Sequence, residues 1–367
     1  MKILIISGFF YPVKTPRSFR TTELAKELTR LGHDVTVCIP PYDFDYTDFL
    51  EKYPMQIDHI NVRSNLSTPK INNKISDLYY RIRNRIYATY LCYPTIKYFW
   101  KIPKYLNDKN KFDCLISIAV PHPIHWGVAR ALKNSKRKIT SKWIADCGDP
   151  FMLCATDSFK KPFYFKWFEK LFCKTADYIT VPVESGKNGY YPEFRYKIKV
   201  IPQGFNFEET KIVEKYEPNK VVTFAYAGSF IPGLRDPRPI LDFLSTCKKD
   251  FRFYIYTNQF DLIEPYKEKL RDKIIISGFI DRDELVYRMS TYDFLLNIEN
   301  GTKVQSPSKL IDYSISKRPV LSINSQNIDK EKFEQFLECN YDEKLEMPNI
   351  DDYNIKNVTK KFLDLVR

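Results

Sequence analysis

No uninterrupted apolar run in this 367-residue chain approaches the roughly 20 residues that a membrane-spanning helix needs. The opening, MKILIISGFFYP, has one lysine and a short apolar run that meets Tyr11-Pro12 at once, so it lacks the long apolar stretch and cleavage site of a secretory signal. None of the eight cysteines forms a C-x-x-C pair. That leaves no zinc ribbon or thioredoxin-type site to read and points to reduced, buried thiols in a cytosolic protein. Phosphate-binding fingerprints are missing too. A NAD or FAD domain places G-x-G-x-x-G at its first strand–helix turn, whereas Gly8 stands alone before Phe9-Phe10-Tyr11-Pro12. Neither G-x-x-x-x-G-K-[ST] nor G-x-S-x-G occurs, which excludes a P-loop NTPase and a nucleophile-elbow hydrolase.

What is present is a globular composition: 44% apolar and 28% charged residues, enough for a core, at a length that suits two domains. The net charge of +13 is unevenly placed, because 33 of the 58 basic residues but only 18 of the 45 acidic ones precede Glu208. An anionic partner for the first half follows. Two stretches concentrate the signal. Leu78 to Leu106 holds six basic residues, nine aromatics and no acid, and 159 to 174 holds five lysines, seven aromatics and Glu169. Rings interleaved with cations suit a lipid headgroup interface. The same pattern fits a solvated face over an aromatic core, or a stacking platform for single-stranded nucleic acid, although no RRM, KH or zinc-finger signature supports the last.

Along the chain, Lys2–Ser7 reads as a buried strand. A helix follows over Ser18–Leu31, with Gly32 placed for its C-terminal turn, and then a strand over Val35–Ile39. A helical crossover joins parallel neighbours, so the first half is an open α/β domain. Further strands are expected at Cys114–Ala119, Trp143–Ala145, Tyr178–Val183 and Lys199–Ile201. The polar run Glu208–Lys220 is a linker, after which the pattern restarts with strands at Val221–Ala227, Phe251–Tyr256, Ile274–Ser277, Phe294–Ile298 and Pro319–Ile323. Helices are expected at Pro239–Leu244, Arg282–Met289, Pro307–Ser316 and Ile355–Val366. The expected division is a first domain over 1–207, a second over 208–345, and a C-terminal helix within 346–367 that packs back on the first.

Most short motifs carry little. The triplets Asp43-Phe44-Asp45 and Asp281-Arg282-Asp283 are common by chance, and His122 and His125 have no third metal ligand nearby in sequence. The stretch Glu299–Tyr313, ENGTKVQSPSKLIDY, is more informative. Ser306 suits a helix N-cap and Pro307 the first helical position, so free N–H groups and Lys309 gather where phosphate binds well. Asp312 shares a face with Ser308, where a carboxylate suits ribose hydroxyls better than phosphate. The pattern reads equally as a nucleotide diphosphate–sugar site or as an ordinary capped surface helix.

This stretch resembles the second domain of retaining GT-B glycosyltransferases of the bacterial surface-polysaccharide type, in which P-S-K-x-x-E-Y opens the helix that contacts the sugar nucleotide. Here it stands as Pro307-Ser308-Lys309-Leu310-Ile311-Asp312-Tyr313, followed by Lys317-Arg318-Pro319-Val320. Other markers follow in order: Ser18-x-Arg20, Gly32-His33-Asp34-Val35, Trp143 to Phe151 (similar to D-x-R-D-x-W), Ala176 to Val181, Val200 to Asn206, and Tyr226-Ala227-Gly228-Ser229 with Arg235-Asp236-Pro237. Three positions depart from the pattern: Val304 stands where the first of two paired glutamates is usual, Asp312 is a shortened second one, and Gly148 replaces an arginine.

The resemblance implies two Rossmann-like domains facing each other across a cleft. It also implies transfer of a sugar from a nucleotide diphosphate donor to a lipid-linked or other glycan acceptor, with retained configuration and no metal or other cofactor. The expected charge-stabilising and catalytic residues are Arg235, Lys309 and Asp149. Gly228, Ser229, Ser306, Pro307, Ser308 and Asp312 are expected around the donor, and Arg17 or Arg20 at a donor or acceptor phosphate. The expected setting is the cytoplasmic face of the membrane, met through the basic first domain, with no nucleic-acid partner. A nonhydrolysing nucleotide-sugar epimerase and an inactive nucleotide-sugar-binding subunit are the alternatives.

Overall fold

The computed structural model describes residues 1–62, 74–153, 160–299, 309–347 and 349–367, without the side chains of 74–76 and 309. Two compact units result: Met1–Phe205 together with Asn354–Arg367, and Asn206–Tyr353. The breaks lie at 205/206 and 353/354, against the expected 207/208 and 345/346.

The first unit runs β1 (Lys2–Ser7), α1 (Pro16–Arg30), β2 (Asp34–Ile39), α2 (Thr47–Lys52), β3 (Gln56–His59), α3 (Lys74–Leu91), α4 (Tyr98–Asn107), β4 (Phe112–Ile118), α5 (Pro123–Asn134), β5 (Thr140–Asp146), α6 (Phe165–Thr175), β6 (Tyr178–Val181) and β7 (Ile198–Val200). Its strands pair in the order β3-β2-β1-β4-β5-β6-β7, all parallel. Strands covered on both faces by helices need no polar alternation, and this is why KILIIS reads as a continuous apolar run. Helix α1 begins two residues earlier than expected, because Thr15 accepts the N–H of Ser18 at 3.2 Å and Pro16 takes the first helical position. It ends where Gly32 turns at φ +79°, a left-handed conformation that a side chain would oppose.

The second unit runs β8 (Thr223–Ala227), α7 (Arg238–Thr246), β9 (Arg252–Tyr256), α8 (Lys267–Leu270), β10 (Ile274–Ser277), α9 (Arg282–Ser290), β11 (Phe294–Ile298), α10 (Lys309–Ser316), β12 (Val320–Ile323) and α11 (Lys330–Leu337). The parallel order is β10-β9-β8-β11-β12. Phe224 at its centre stacks on Phe253 at 4.5 Å and Phe294 at 4.6 Å, with both partners in register on the neighbouring strands. Such cross-strand aromatic pairs add directional energy to area burial and help to fix the register. A last helix, α12 (Ile355–Asp364), returns to the first unit, where Ile355, Val358 and Phe362 enter the core beside α1.

Truncating the central ring tests this core. Phe224→Ala should destabilise the second unit by about 3–5 kcal/mol, read as a lower urea midpoint for that unit's unfolding transition.

Candidate functional site

In open parallel sheets, ligands bind beyond the carboxyl ends of the strands. In the second unit this edge holds a cavity of about 330 Å³, walled by Gly228 after β8, Phe279 and Ile280 after β10, Arg282 on α9, and Asp312 and Tyr313 on α10. The chain leaves β8 through Gly228 at φ +147°, and its N–H donates to the carbonyl of Tyr256 at 3.0 Å. Tyr313 anchors α10 to the sheet: its hydroxyl accepts the N–H of Ala227 and donates to the carbonyl of Leu296, both at 3.1 Å. This fixes Asp312, one residue earlier, on the cavity wall. Asp312 Oδ1 accepts from Arg282 Nε at 2.9 Å and from Nη2 at 2.5 Å. Burial lifts the Asp312 carboxyl above its ordinary range, with Arg282 pulling the other way. The Phe279 ring is 54% exposed, a large apolar face left open beside the cavity.

The carboxyl edge of the first sheet is built around Asp146, fully buried at the end of β5. Arg20 on α1 forks onto it, Nε to Oδ2 at 3.0 Å and Nη2 to Oδ1 at 2.8 Å, and Thr180 donates its hydroxyl at 2.6 Å. Arg20 also donates to the carbonyls of Ile201 and Pro202 and lies over the Phe362 ring. Burial works to raise the Asp146 carboxyl, but Arg20, Arg17 and Thr180 outweigh it and hold it below its usual value. Arg17, 3.9 Å from Asp146, lies over Gly148, where an added Cβ would meet its guanidinium carbon at 2.6 Å. A side chain at 148 would therefore collide with this arginine from α1. Beyond it Asp149 is exposed, and its carbonyl accepts from His122 Nε2 at 2.9 Å.

The structure brings Gly228 and Asp312 to one cavity, with Ser229 next in chain. Arg235 closes a tight loop with Ile231, half-buried near Tyr226, and is absent from that cavity's wall. Ser306, Pro307, Ser308 and Val304 lie outside the described residues, and Lys309 is described only as the first residue of α10. Arg20, expected at a phosphate, is committed to Asp146 and backbone carbonyls, because a guanidinium this deep needs a partner for each donor. Sequence reasoning did not single out Arg282, Phe279 or Ile280. The Asp281-Arg282-Asp283 triplet was the available signal, and its role is different: Asp281 caps α9 by accepting the N–H of Asp283 at 3.0 Å. Among the described residues no cluster of His, Cys, Asp and Glu is disposed to hold a metal. His125 is buried against Ser117 and Cys147.

The two basic aromatic stretches divide between core and surface. Tyr98, Phe165 and Phe172 are buried, whereas α3 exposes Leu78, Tyr79, Ile82, Ile86 and Tyr90, and near α6 Phe163 and Trp167 are 78% and 69% exposed. The stretches adjoin, since the Tyr164 hydroxyl donates to the Tyr90 carbonyl and Phe99 meets Phe168 edge-on at 5.2 Å. Among the described residues no helix is long and apolar enough to cross a membrane.

No family model and no curated protein sequence matches this chain. Solved structures do. A glycosyltransferase from Rickettsia africae matches at a TM-score of 0.63 and 14% identity, over 99% of this chain and 97% of that one. The lipopolysaccharide outer core galactosyltransferase WaaB matches at 0.58 and 13%, over 100% and 99%. The UDP-GlcNAc 2-epimerase of Neisseria meningitidis, bound to UDP-GlcNAc, matches at 0.60 and 17%, over 100% and 99%. Such identities speak to the fold alone, and with the two parallel sheets on either side of Phe205 they show that the chain has the GT-B fold of two Rossmann-like domains.

Proposed function

We propose that the protein is a nucleotide-sugar-dependent glycosyltransferase that builds a surface polysaccharide at the cytoplasmic face of the membrane. It moves a sugar from a nucleotide diphosphate donor to a lipid-linked or other glycan acceptor, with retained configuration and no metal. The observation that supports this best is the second-domain cavity, where one wall offers an open aromatic ring and another a half-buried Arg282–Asp312 pair. An aromatic face stacks on a base, and a carboxylate already oriented by an arginine accepts hydrogen bonds from ribose hydroxyls. In this reading Gly228 and Ser229 let the chain approach the diphosphate closely. Without a metal, the charge on the departing diphosphate is met by protein cations and the start of α10, with Lys309 and Arg235 supplying charge and Ser306, Pro307 and Ser308 the helix start. The exposed Asp149 and the adjacent Arg17 serve the sugar or the acceptor from the first domain.

The exposed rings of α3 and α6, set among lysines and arginines, support contact with an anionic membrane: rings enter the interface while cations meet headgroups. A second reading comes from the fold shared with an epimerase that binds UDP-GlcNAc. Incubation with UDP-GlcNAc and no acceptor separates the two, because a 2-epimer accumulates only under the epimerase reading.

Three outcomes are expected. In a thermal-shift screen, a matching nucleotide diphosphate sugar at about 100 times its Kd stabilises the fold by about 2.7 kcal/mol. Arg282→Ala should abolish most of that rise while leaving the unliganded melting temperature within a few degrees; an unchanged rise removes the cavity from the donor site. Lys309→Ala and Arg235→Ala should each lower turnover by about tenfold or more, with the circular dichroism spectrum retained; wild-type kinetics in both overturns the charge-stabilisation mechanism. Reversing Arg81, Arg83 and Arg85 to glutamate should weaken co-sedimentation with phosphatidylglycerol vesicles, as should Phe163→Ser with Trp167→Ser. Undiminished sedimentation in both sets counts against the membrane face.

A further inference from the structure

Asp149 stands on a loop, 147–152, that leaves the carboxyl end of β5, and several parts of the first domain hold that loop. The Cys147 N–H donates to the Thr180 carbonyl on β6 at 2.8 Å. Gly148 lies under the Arg17 guanidinium. The Asp149 carbonyl accepts from His122 Nε2, which fixes the proton on that ring nitrogen because a carbonyl only accepts. Pro150 packs on Gly189, where an added Cβ would come within 2.3 Å of its ring. The N–H groups of Phe151 and Met152 both donate, at 3.2 Å each, to one oxygen of Glu169.

Glu169 is the unusual member of this set. It sits on α6 with a relative exposure of 0%, and its Oε2 is buried without a hydrogen bond of ordinary geometry among the described residues. Those residues include no cation paired with it. The titratable groups that face it are Cys147 at the end of β5, Cys173 on its own helix, and Tyr190 and Tyr191 after β6. A buried carboxylate without a cation is costly when ionised, so packing does not account for it. Its bonds go to the backbone that carries Asp149, with the Tyr191 hydroxyl as a further side-chain partner.

We propose that Glu169 is a positioning residue that pins the backbone at Phe151 and Met152 and thereby sets where the Asp149 carboxylate stands. The inference rests on the reading of Asp149 as a group of the reacting site. Burial pushes the Glu169 carboxyl up to about 7, while Cys147, Cys173, Tyr190 and Tyr191 are raised away from neutrality. A folded-state value above the unfolded one gives the fold stability that is complete below the ordinary carboxylate range and is lost as pH rises from there to about 7. The protonated acid still offers its carbonyl oxygen to both amides.

The test uses the full chain with Glu169→Ala, Glu169→Gln and Asp149→Asn. Hydrogen exchange of the peptide spanning 147–152 is followed at pH 6 and pH 8 and corrected for intrinsic rates. Release of UDP from UDP-glucose or UDP-GlcNAc, whichever raises the melting temperature, is measured in parallel. Glu169→Ala should speed exchange at Phe151 and Met152 by about tenfold and lower kcat by a similar factor, with KM within about twofold. Glu169→Gln, which keeps an oxygen acceptor for both amides, should restore both. Wild-type exchange in Glu169→Ala overturns the proposal, as does a Glu169→Gln variant as impaired as the alanine one. It is equally overturned if Asp149→Asn lowers kcat while Glu169→Ala speeds exchange and leaves kcat untouched. If neither Asp149→Asn nor Glu169→Ala changes kcat but exchange quickens, the pin stands and the reading of Asp149 fails.

Discussion

The Asp146 carboxylate, buried at the end of β5 and gripped from two sides by Arg20, ties together segments that lie far apart in the chain. Arg20 comes from α1, Thr180 from β6, the carbonyls of Ile201 and Pro202 from the chain just after β7, and the Phe362 ring from α12. A charge this deep is tolerable only with a nearly complete set of partners, and loss of one partner of such a pair costs about 3–5 kcal/mol. The pair is therefore a constraint on the whole edge of the sheet. With Arg20 taken up by Asp146, Arg17 extends over Gly148, and the loop beyond it presents Asp149.

The second domain solves a similar problem with less burial. Asp312 and Arg282 come from two helices, and each is oriented by a neighbour in sequence: Tyr313 locks α10 to β8 and β11, and Asp281 caps the helix that begins with Arg282. The pair keeps partial exposure at a cavity, which leaves it able to share hydrogen bonds with a polar ligand. The two sheets thus carry acid–arginine pairs of different character, one closed and organising, the other open. The charge asymmetry follows the same division, with the basic excess and, among the described residues, most of the exposed rings in the domain that contains α3 and α6.

The sequence by itself determined the α/β class, the two-domain division near residue 207, most strand positions and the end of α1. Each of these is a local signal: an apolar run, a polar linker, or a glycine placed where a helix must turn. It also singled out Gly228 and Asp312, from two separate short stretches, and both line one cavity at the carboxyl edge of the second sheet. Tertiary structure alone decided that Arg20 is buried under Asp146, 126 residues away, that Arg17 lies over Gly148, that Arg282 meets Asp312 across 30 residues, and that Glu169 reaches the loop of Asp149. Side chains of one type look alike in sequence whether they end in water or in a buried pair. Only the crossing of helices over the sheet brings such partners within hydrogen-bond distance, and periodicity carries no record of which distant residue will be met.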